Sequence, residues 1–381
     1  MTLSVSLIIF LCHARGQGLL YNMVDWLIAL ADQASDEFKI VGLSVPEEQE
    51  HGLFDRLRAH GVANLQVVQS LTDPVAIKLL SQAAVVHCHG FHQLAELHQL
   101  RRRIGASFRC VISIHYFRNG TIWKVPFSNF ISGTLLNKAA HMLHYLSMRS
   151  QTEFTDTNFF LKRTLPYYIF PLGCDEEKFP IDGRVEQPQE WEHLATLSEG
   201  RPNIVYLANF FKNKQHRWLI DAIEKSLLRN NAVLWLLGEG PEREAIQELI
   251  RLRALSKHVI CPGRVQRLYI PWFLSYMQVA VCSSLSENSP HAIMEPLFAG
   301  VPVVTFDVGT ASELVSDFSR GFVLGKPRVQ GEFARKVDII LENSQLRRHM
   351  AKEAKHFVAQ FYTWRDCARK SMAMYRTMLQ H

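Results

Sequence analysis

The chain is predicted to be an α/β protein of two doubly wound, parallel-sheet domains. Its 381 residues, 48% hydrophobic and 20% charged, suit a globular protein with two cores. Short apolar runs alternate with segments of helical spacing along the whole length, as expected where strands are buried on both faces and helices make the crossovers. A polar, irregular stretch at 171–200, closed by Gly200-Arg201-Pro202, divides that alternation into two series.

In the first series, apolar 4–12 reads as a strand, 20–31 as a helix, 38–43 as a strand, 53–60 as a helix, and 85–87 and 110–114 as strands. No basic residue precedes the opening apolar run and His13-Ala14-Arg15-Gly16 follows it at once, so it is read as a strand rather than a signal peptide. The second series is cleaner: 203–208, 219–228, 233–237, 242–255, 259–261, 268–277, 279–282, 292–298 and 301–306. The expected division is 1–170 as one domain, 171–200 as a link, 201–361 as the second domain and 362–381 as a terminal helix. No run approaches the roughly 18 apolar residues of a membrane-spanning helix.

Seven cysteines without a C-x-x-C pair lack both disulfide and metal-site spacing, which predicts a reducing, cytoplasmic setting. No loop after a strand carries two aspartates flanking a central residue, so no metal and no cofactor are expected. The net charge of +6 is unevenly placed: residues 101–163 hold ten Lys/Arg against Glu153 and Asp156, a local excess of +8. Tyr116, Phe117, Trp123, Phe127, Phe130, Leu135 and Leu136 are interleaved with these charges. Two readings stay open, a peripheral contact with an anionic membrane surface or a pair of core helices with solvated basic residues. Nucleic acid is not an expected partner, because no binding module accompanies the patch.

Residues 279–304 carry the most chemistry. Apolar Val279–Cys282 leads into polar 283–289, and from Pro290 the apolar residues recur at helical spacing, giving strand, loop and helix. Ser289 suits an N-cap and Pro290 the first helical position, so the free amides of the first turn can receive phosphate oxygens, with Asn288, His291 and Ala292 beside them. Glu287 precedes that turn and Glu295 lies about 7 Å along the axis from Pro290, at about 1.5 Å per residue. One carboxylate can then face a diphosphate while the other grips a ribose diol; two ordinary solvent-facing acids are the alternative.

This segment resembles the E-x7-E signature of the retaining glycosyltransferases of family 4, the glycosyl transferases group 1, whose architecture is GT-B: two Rossmann-like domains facing a central cleft. Other segments resemble family elements in order. Leu207-Ala208-Asn209-Phe210-Phe211-Lys212-Asn213-Lys214 is similar to the "G-R-L-x-x-x-K-G" strand end, Leu237-Gly238-Glu239-Gly240-Pro241 to the "G-x-G-P" turn, and Cys261-Pro262-Gly263-Arg264-Val265 to the base-holding turn. Gly309-Thr310-Ala311-Ser312-Glu313 is similar to the "G-G-x-x-E" element, Val85-Val86-His87-Cys88-His89-Gly90 to "V-H-x-H-G", and Phe170–Phe179 to the domain-junction motif. The Phe361-Tyr362-Thr363-Trp364 tail resembles the family's "F-S-W" return to the first domain.

The resemblance implies a nucleotide-sugar donor, UDP- or GDP-linked, and a glycan or lipid-linked acceptor, with retention and no metal. It assigns Lys214 to the leaving diphosphate, Glu287 and His89 to the transferred sugar, and Glu295 to the ribose. Gly16 and Gly18, after the first strand, match the family's glycine-rich loop; as a dinucleotide fingerprint they fail, because Tyr21 holds the third glycine position. Asn209 stands where the family has arginine. Its amide can donate to phosphate without supplying charge. Gly238, Gly263, Arg264 and Val265 complete the expected donor contacts, Arg264 by stacking on or bonding the base. The rivals are a nucleotide-sugar epimerase of the same fold and a catalytically silent scaffold.

Overall fold

The computed structural model describes residues 6–11, 17–34, 37–44, 65–68, 70–89, 91–115, 133–157, 165–179, 200–316 and 318–380. The chain forms two compact units, residues 1–173 with 364–381, and residues 174–363.

The first unit holds a seven-stranded sheet in the order β3 (Leu65–Val67), β2 (Phe38–Ser44), β1 (Ser6–Leu11), β4 (Val85–Cys88), β5 (Arg109–Ile114), β6 (Met142–Tyr145) and β7 (Tyr167–Ile169). Every pairing is parallel. The pleat divides the strands between two cores: Ile8, Phe10, Val85 and Val111 join Met23, Trp26, Leu27 and the terminal helix on one face. Ile9, Leu11, Val86 and Ile112 join Leu80, Leu94 and Leu97 on the other. Helix Trp364–Gln380 belongs to this unit, and Trp26 donates its indole N–H to Ser371 Oγ at 3.0 Å.

The second unit holds a six-stranded parallel sheet ordered β10 (Val259–Gly263), β9 (Val233–Leu237), β8 (Asn203–Leu207), β11 (Val279–Cys282), β12 (Val303–Phe306) and β13 (Gly321–Leu324). Its helices follow the amphipathic pattern; His216–Arg229 buries Leu219, Ile220, Ile223 and Leu227, one stripe at spacings of three and four. In both sheets the strand order reverses direction once, between β1 and β4 and between β8 and β11. Open α/β sheets place ligands beyond the carboxyl ends of the strands at such switch points.

Several sequence expectations are corrected. Residues 101–163 are not a helix pair: they include strands β5 and β6, because alternate members of both runs face the cores. Leu136 is fully buried and Leu135 packs beneath it, while the aromatic residues 116–130 lie outside the described segments, as does the helix expected at 53–60. Strands β3, β6, β7 and β13 were not anticipated. No helix among the described residues is long and apolar enough to cross a membrane.

Candidate functional site

The carboxyl ends of β8 and β11 carry a joined polar cluster. Beyond β8 the chain passes through Ala208 and Asn209 to a one-turn 3-10 segment, Lys212–Lys214, and enters helix His216–Arg229 after Gln215. Phe210, fully buried, stacks on His216 with centroids 4.2 Å apart and fastens this loop to the core. Beyond β11, Leu285 N–H bonds the Asn213 carbonyl at 2.8 Å, which ties the two loops together. Across that tie the Lys214 ammonium is ion-paired with the Glu287 carboxylate, the two side chains only 20% and 15% exposed. Ser284 donates to the same Glu287 oxygen at 2.6 Å.

The helix that follows starts one residue later than the sequence suggested. Pro290 has ψ 106° and its carbonyl accepts from the N–H groups of Ile293 and Met294, so it is the cap and His291–Ala299 is the helix. Ser289 therefore precedes the cap, and its buried hydroxyl has no protein partner. With Ile293 and Met294 bonded to Pro290, the amides that the first turn leaves over are those of His291 and Ala292. Asn288 fixes the loop from the other side, its carbonyl accepting from Thr310 N–H at 3.0 Å. Gly309 makes this approach possible: at φ +54°, a Cβ there would lie 2.4 Å from the Asn288 oxygen and 2.7 Å from that of Glu287.

Glu295, one turn into the helix and 14% exposed, has Arg267 at 3.7 Å. His291 Nδ1 is 3.9 Å from the same carboxylate, too far for a hydrogen bond. Burial, followed by the positive charges of Arg267 and Lys178, pushes the His291 pKa down to about 3, so the ring is neutral near pH 7. Both ring nitrogens are buried without a protein partner.

The turn after β9 closes the far side. Gly238 donates to the Gly263 carbonyl at 2.9 Å, and Phe210 N–H donates to Glu239 at 2.9 Å. Gly238 has φ +152° and a Cβ on it would lie 2.4 Å from the Ala208 oxygen, so only glycine lets these backbones touch. Asn209 Oδ1 accepts from Glu239 N–H at 3.4 Å, a weak bond that uses the acceptor end of the amide and not its N–H donors. Arg264 is exposed and Val265 is buried.

His89 lies in the first unit, just past β4, where it is 3% exposed. Its Nδ1 is 2.7 Å from His115 Nε2, and its own Nε2 is buried without a protein partner. His87 is a satisfied core histidine, bonded to Tyr375 at 2.7 Å and Ser113 at 2.6 Å. Burial depresses the pKa of all three rings, His115 to about 4. Gly18 lies in the first turn of helix Gln17–Gln33, and Gly16 lies outside the described residues. Among the described residues no three His, Cys, Asp or Glu side chains are disposed to hold a metal ion.

The second unit thus brings together Lys214, Glu287, Asn288, Ser289, His291, Ala292 and Glu295 around one helix start, with Asn209, Gly238 and the 263–265 segment on the neighbouring strand ends. A partly desolvated cation beside unbonded helix amides is suited to a diphosphate. Sequence reasoning missed Tyr206, Ser284 and Thr310. The polar pair Ser283-Ser284 directly after an apolar strand was the local signal of Ser284, and Thr310 stood in the segment similar to the "G-G-x-x-E" element.

Residues 189–357 match the model of the family described as glycosyl transferases group 1. An uncharacterised glycosyltransferase of Methanocaldococcus jannaschii is 22% identical over 64% of this chain and 65% of its own length. An alpha-D-kanosaminyltransferase of Streptomyces kanamyceticus is 26% identical over 47% of this chain and 46% of its own. The matched regions thus cover less than two thirds of these curated relatives. Among solved structures, HepE of Anabaena, crystallised with UDP and with UDP-glucose, superimposes with TM-scores of 0.76 and 0.75 at 17% identity; the UDP complex is matched over 98% of this chain and 100% of that one. This likeness shows the fold, which is GT-B. The matched stretch, 189–357, holds all six strands of the second unit's sheet and the site built on them, and is similar to the glycosyl transferases group 1 family.

Proposed function

We propose that the chain is a retaining, metal-independent glycosyltransferase that moves a hexose from a nucleotide-sugar, most simply a UDP-sugar, to a hydroxyl of its acceptor. The observation that carries this reading is the Lys214–Glu287 pair beside the unbonded amides of His291 and Ala292, at the switch point between β8 and β11. The complexes of HepE with UDP and UDP-glucose support the choice of donor.

In the proposed reaction the bond between the sugar's anomeric carbon and the diphosphate oxygen breaks, and the acceptor oxygen bonds to that carbon on the same face. The acceptor proton passes to the departing diphosphate. Lys214 and the helix amides take up the charge that grows on the leaving group. Glu287 holds the sugar, Glu295 the ribose, and the 263–265 backbone with Arg264 the base. Nucleotide release from a panel of UDP- and GDP-sugars, with Lys214→Ala and Glu287→Ala alongside, tests this. An epimerase would leave the nucleotide attached to sugar, and a scaffold would turn over nothing.

A glycan or lipid-linked acceptor at a cytoplasmic membrane face, in cell-surface polysaccharide or glycolipid synthesis, is the finer proposal. Arg102, Arg103 and Lys138 are exposed, and burial together with the charges of Arg102, Arg101 and Lys138 lowers the pKa of His98 among them. Binding to anionic vesicles at low salt supports it; equal indifference to anionic and neutral vesicles contradicts it.

A further inference from the structure

Lys214 and Glu287 are neutralised by one another, yet the proposed reaction asks Lys214 to turn to a diphosphate. Something must then keep Glu287 in place, because a carboxylate that loses its counter-ion in a partly buried setting tends to rotate toward water.

Three hydroxyls lie behind the pair. Ser284 Oγ is 2.6 Å from Glu287 Oε1, and Tyr206 Oη is 2.8 Å from Ser284 Oγ and 3.0 Å from the Lys214 carbonyl. Ser283 Oγ donates to that same carbonyl at 2.8 Å. Proton accounting gives the cluster a direction. A carboxylate only accepts, so Ser284 spends its single proton on Glu287. In the Tyr206–Ser284 bond the phenol is therefore the donor, and the Ser283 hydroxyl serves the Lys214 carbonyl when the phenol points at Ser284. Tyr206, Ser283 and Ser284 are all fully buried, and burial above all keeps the Tyr206 phenol protonated. Tyr206 sits near the end of β8 and Ser284 just past β11, so the chain of bonds is anchored on the two central strands of the sheet.

We propose that Tyr206 and Ser284 are positioning residues: a hydrogen-bond chain, Tyr206 to Ser284 to Glu287, that holds the Glu287 carboxylate in register after Lys214 has been drawn to the donor's diphosphate. The inference rests on the glycosyltransferase reading and assigns the two hydroxyls to the step after donor binding.

The test uses the full chain with Ser284→Ala, Ser284→Thr and Tyr206→Phe. UDP affinity is measured by calorimetry and turnover by nucleotide release from the best donor. The expected result is a UDP dissociation constant within about threefold of the parent, with kcat reduced at least about tenfold in Ser284→Ala and Tyr206→Phe. Turnover returns in Ser284→Thr, which keeps the hydroxyl. Unchanged kcat in both hydroxyl-removing variants overturns the proposal, as does a loss of UDP affinity that matches the loss of kcat. A parent that neither binds UDP nor releases nucleotide refutes the glycosyltransferase reading instead. In crystals of Ser284→Ala with UDP bound, where Lys214 is drawn to the diphosphate, a Glu287 carboxylate displaced from its place in the parent complex upholds this inference, and an unmoved one overturns it.

Discussion

The Lys214 ammonium pairs with the Glu287 carboxylate across a sequence separation of 73 residues. Two loops from adjacent strands, fastened to each other by a backbone bond, bring them together. Each keeps the other's charge from being stranded in a site where both are more than three-quarters buried.

Removing either charge has a defined consequence. Lys214→Ala takes away a preorganised cation at the leaving group and lowers kcat by about 100-fold or more. Glu287→Gln leaves Lys214 without its competitor, so UDP binding tightens while turnover falls. Calorimetry and nucleotide-release rates check the two effects, and a Glu287→Gln protein that binds UDP more weakly contradicts the competition.

Gly309 is where the loop bearing Glu287 and the loop after β12 meet backbone to backbone. Gly309→Ala has to displace the Asn288 carbonyl or abandon its positive φ, at a cost of about 2 kcal/mol. The expected outcome is a melting temperature a few degrees lower and a larger proportional loss of UDP affinity than of stability.

The terminal helix Trp364–Gln380 contributes Trp364, Met372, Tyr375 and Met378 to the core of the first unit. Deleting 364–381 strips the cover from Met23, Trp26 and Leu30, at about 2 kcal/mol for each large apolar side chain exposed. Limited proteolysis of the truncated chain is expected to degrade residues 1–173 while leaving 200–357 intact.

Buried histidines set the response to acid. Burial is the main cause of the depressed pKa values of His115 and His216, about 4, and of His144 and His291, about 3. In the unfolded chain these rings take up protons below their ordinary value of 6.5. Between 6.5 and the folded values the unfolded state therefore binds more protons, so the stability that these rings hold in full above pH 6.5 declines as pH falls toward 4. Urea midpoints at pH 7.5 and pH 5 check this; a midpoint at pH 5 equal to or above that at pH 7.5 contradicts it.

The second unit was legible because its strands are short, apolar and cleanly punctuated: Val279–Cys282 and Val233–Leu237 stand where the apolar runs were, and helix His216–Arg229 extends the helical pattern read at 219–228. Strand β6, Met142-Leu-His-Tyr145, was hidden in a basic stretch, since His144 gives no apolar signal although it is fully buried. Strand β3 has three residues with exposed Gln66 at its centre, too little pattern for a period of two. Ser289 misled because a good capping residue beside a proline looks like a helix start, whereas the extended ψ of Pro290 moves the start onward. The pairing of Tyr206 with Ser284 across 78 residues in the second unit, and of His89 with His115 across 26 in the first, follows from strand order and is not set by local sequence.

The most direct measurement is a crystal structure of the chain with UDP. The account predicts phosphate oxygens within hydrogen-bonding distance of Lys214 Nζ and of the His291 and Ala292 amides, the ribose on Glu295 and the base against 263–265. UDP bound elsewhere on the chain, or that helix start without it in crystals that hold the nucleotide, would contradict it.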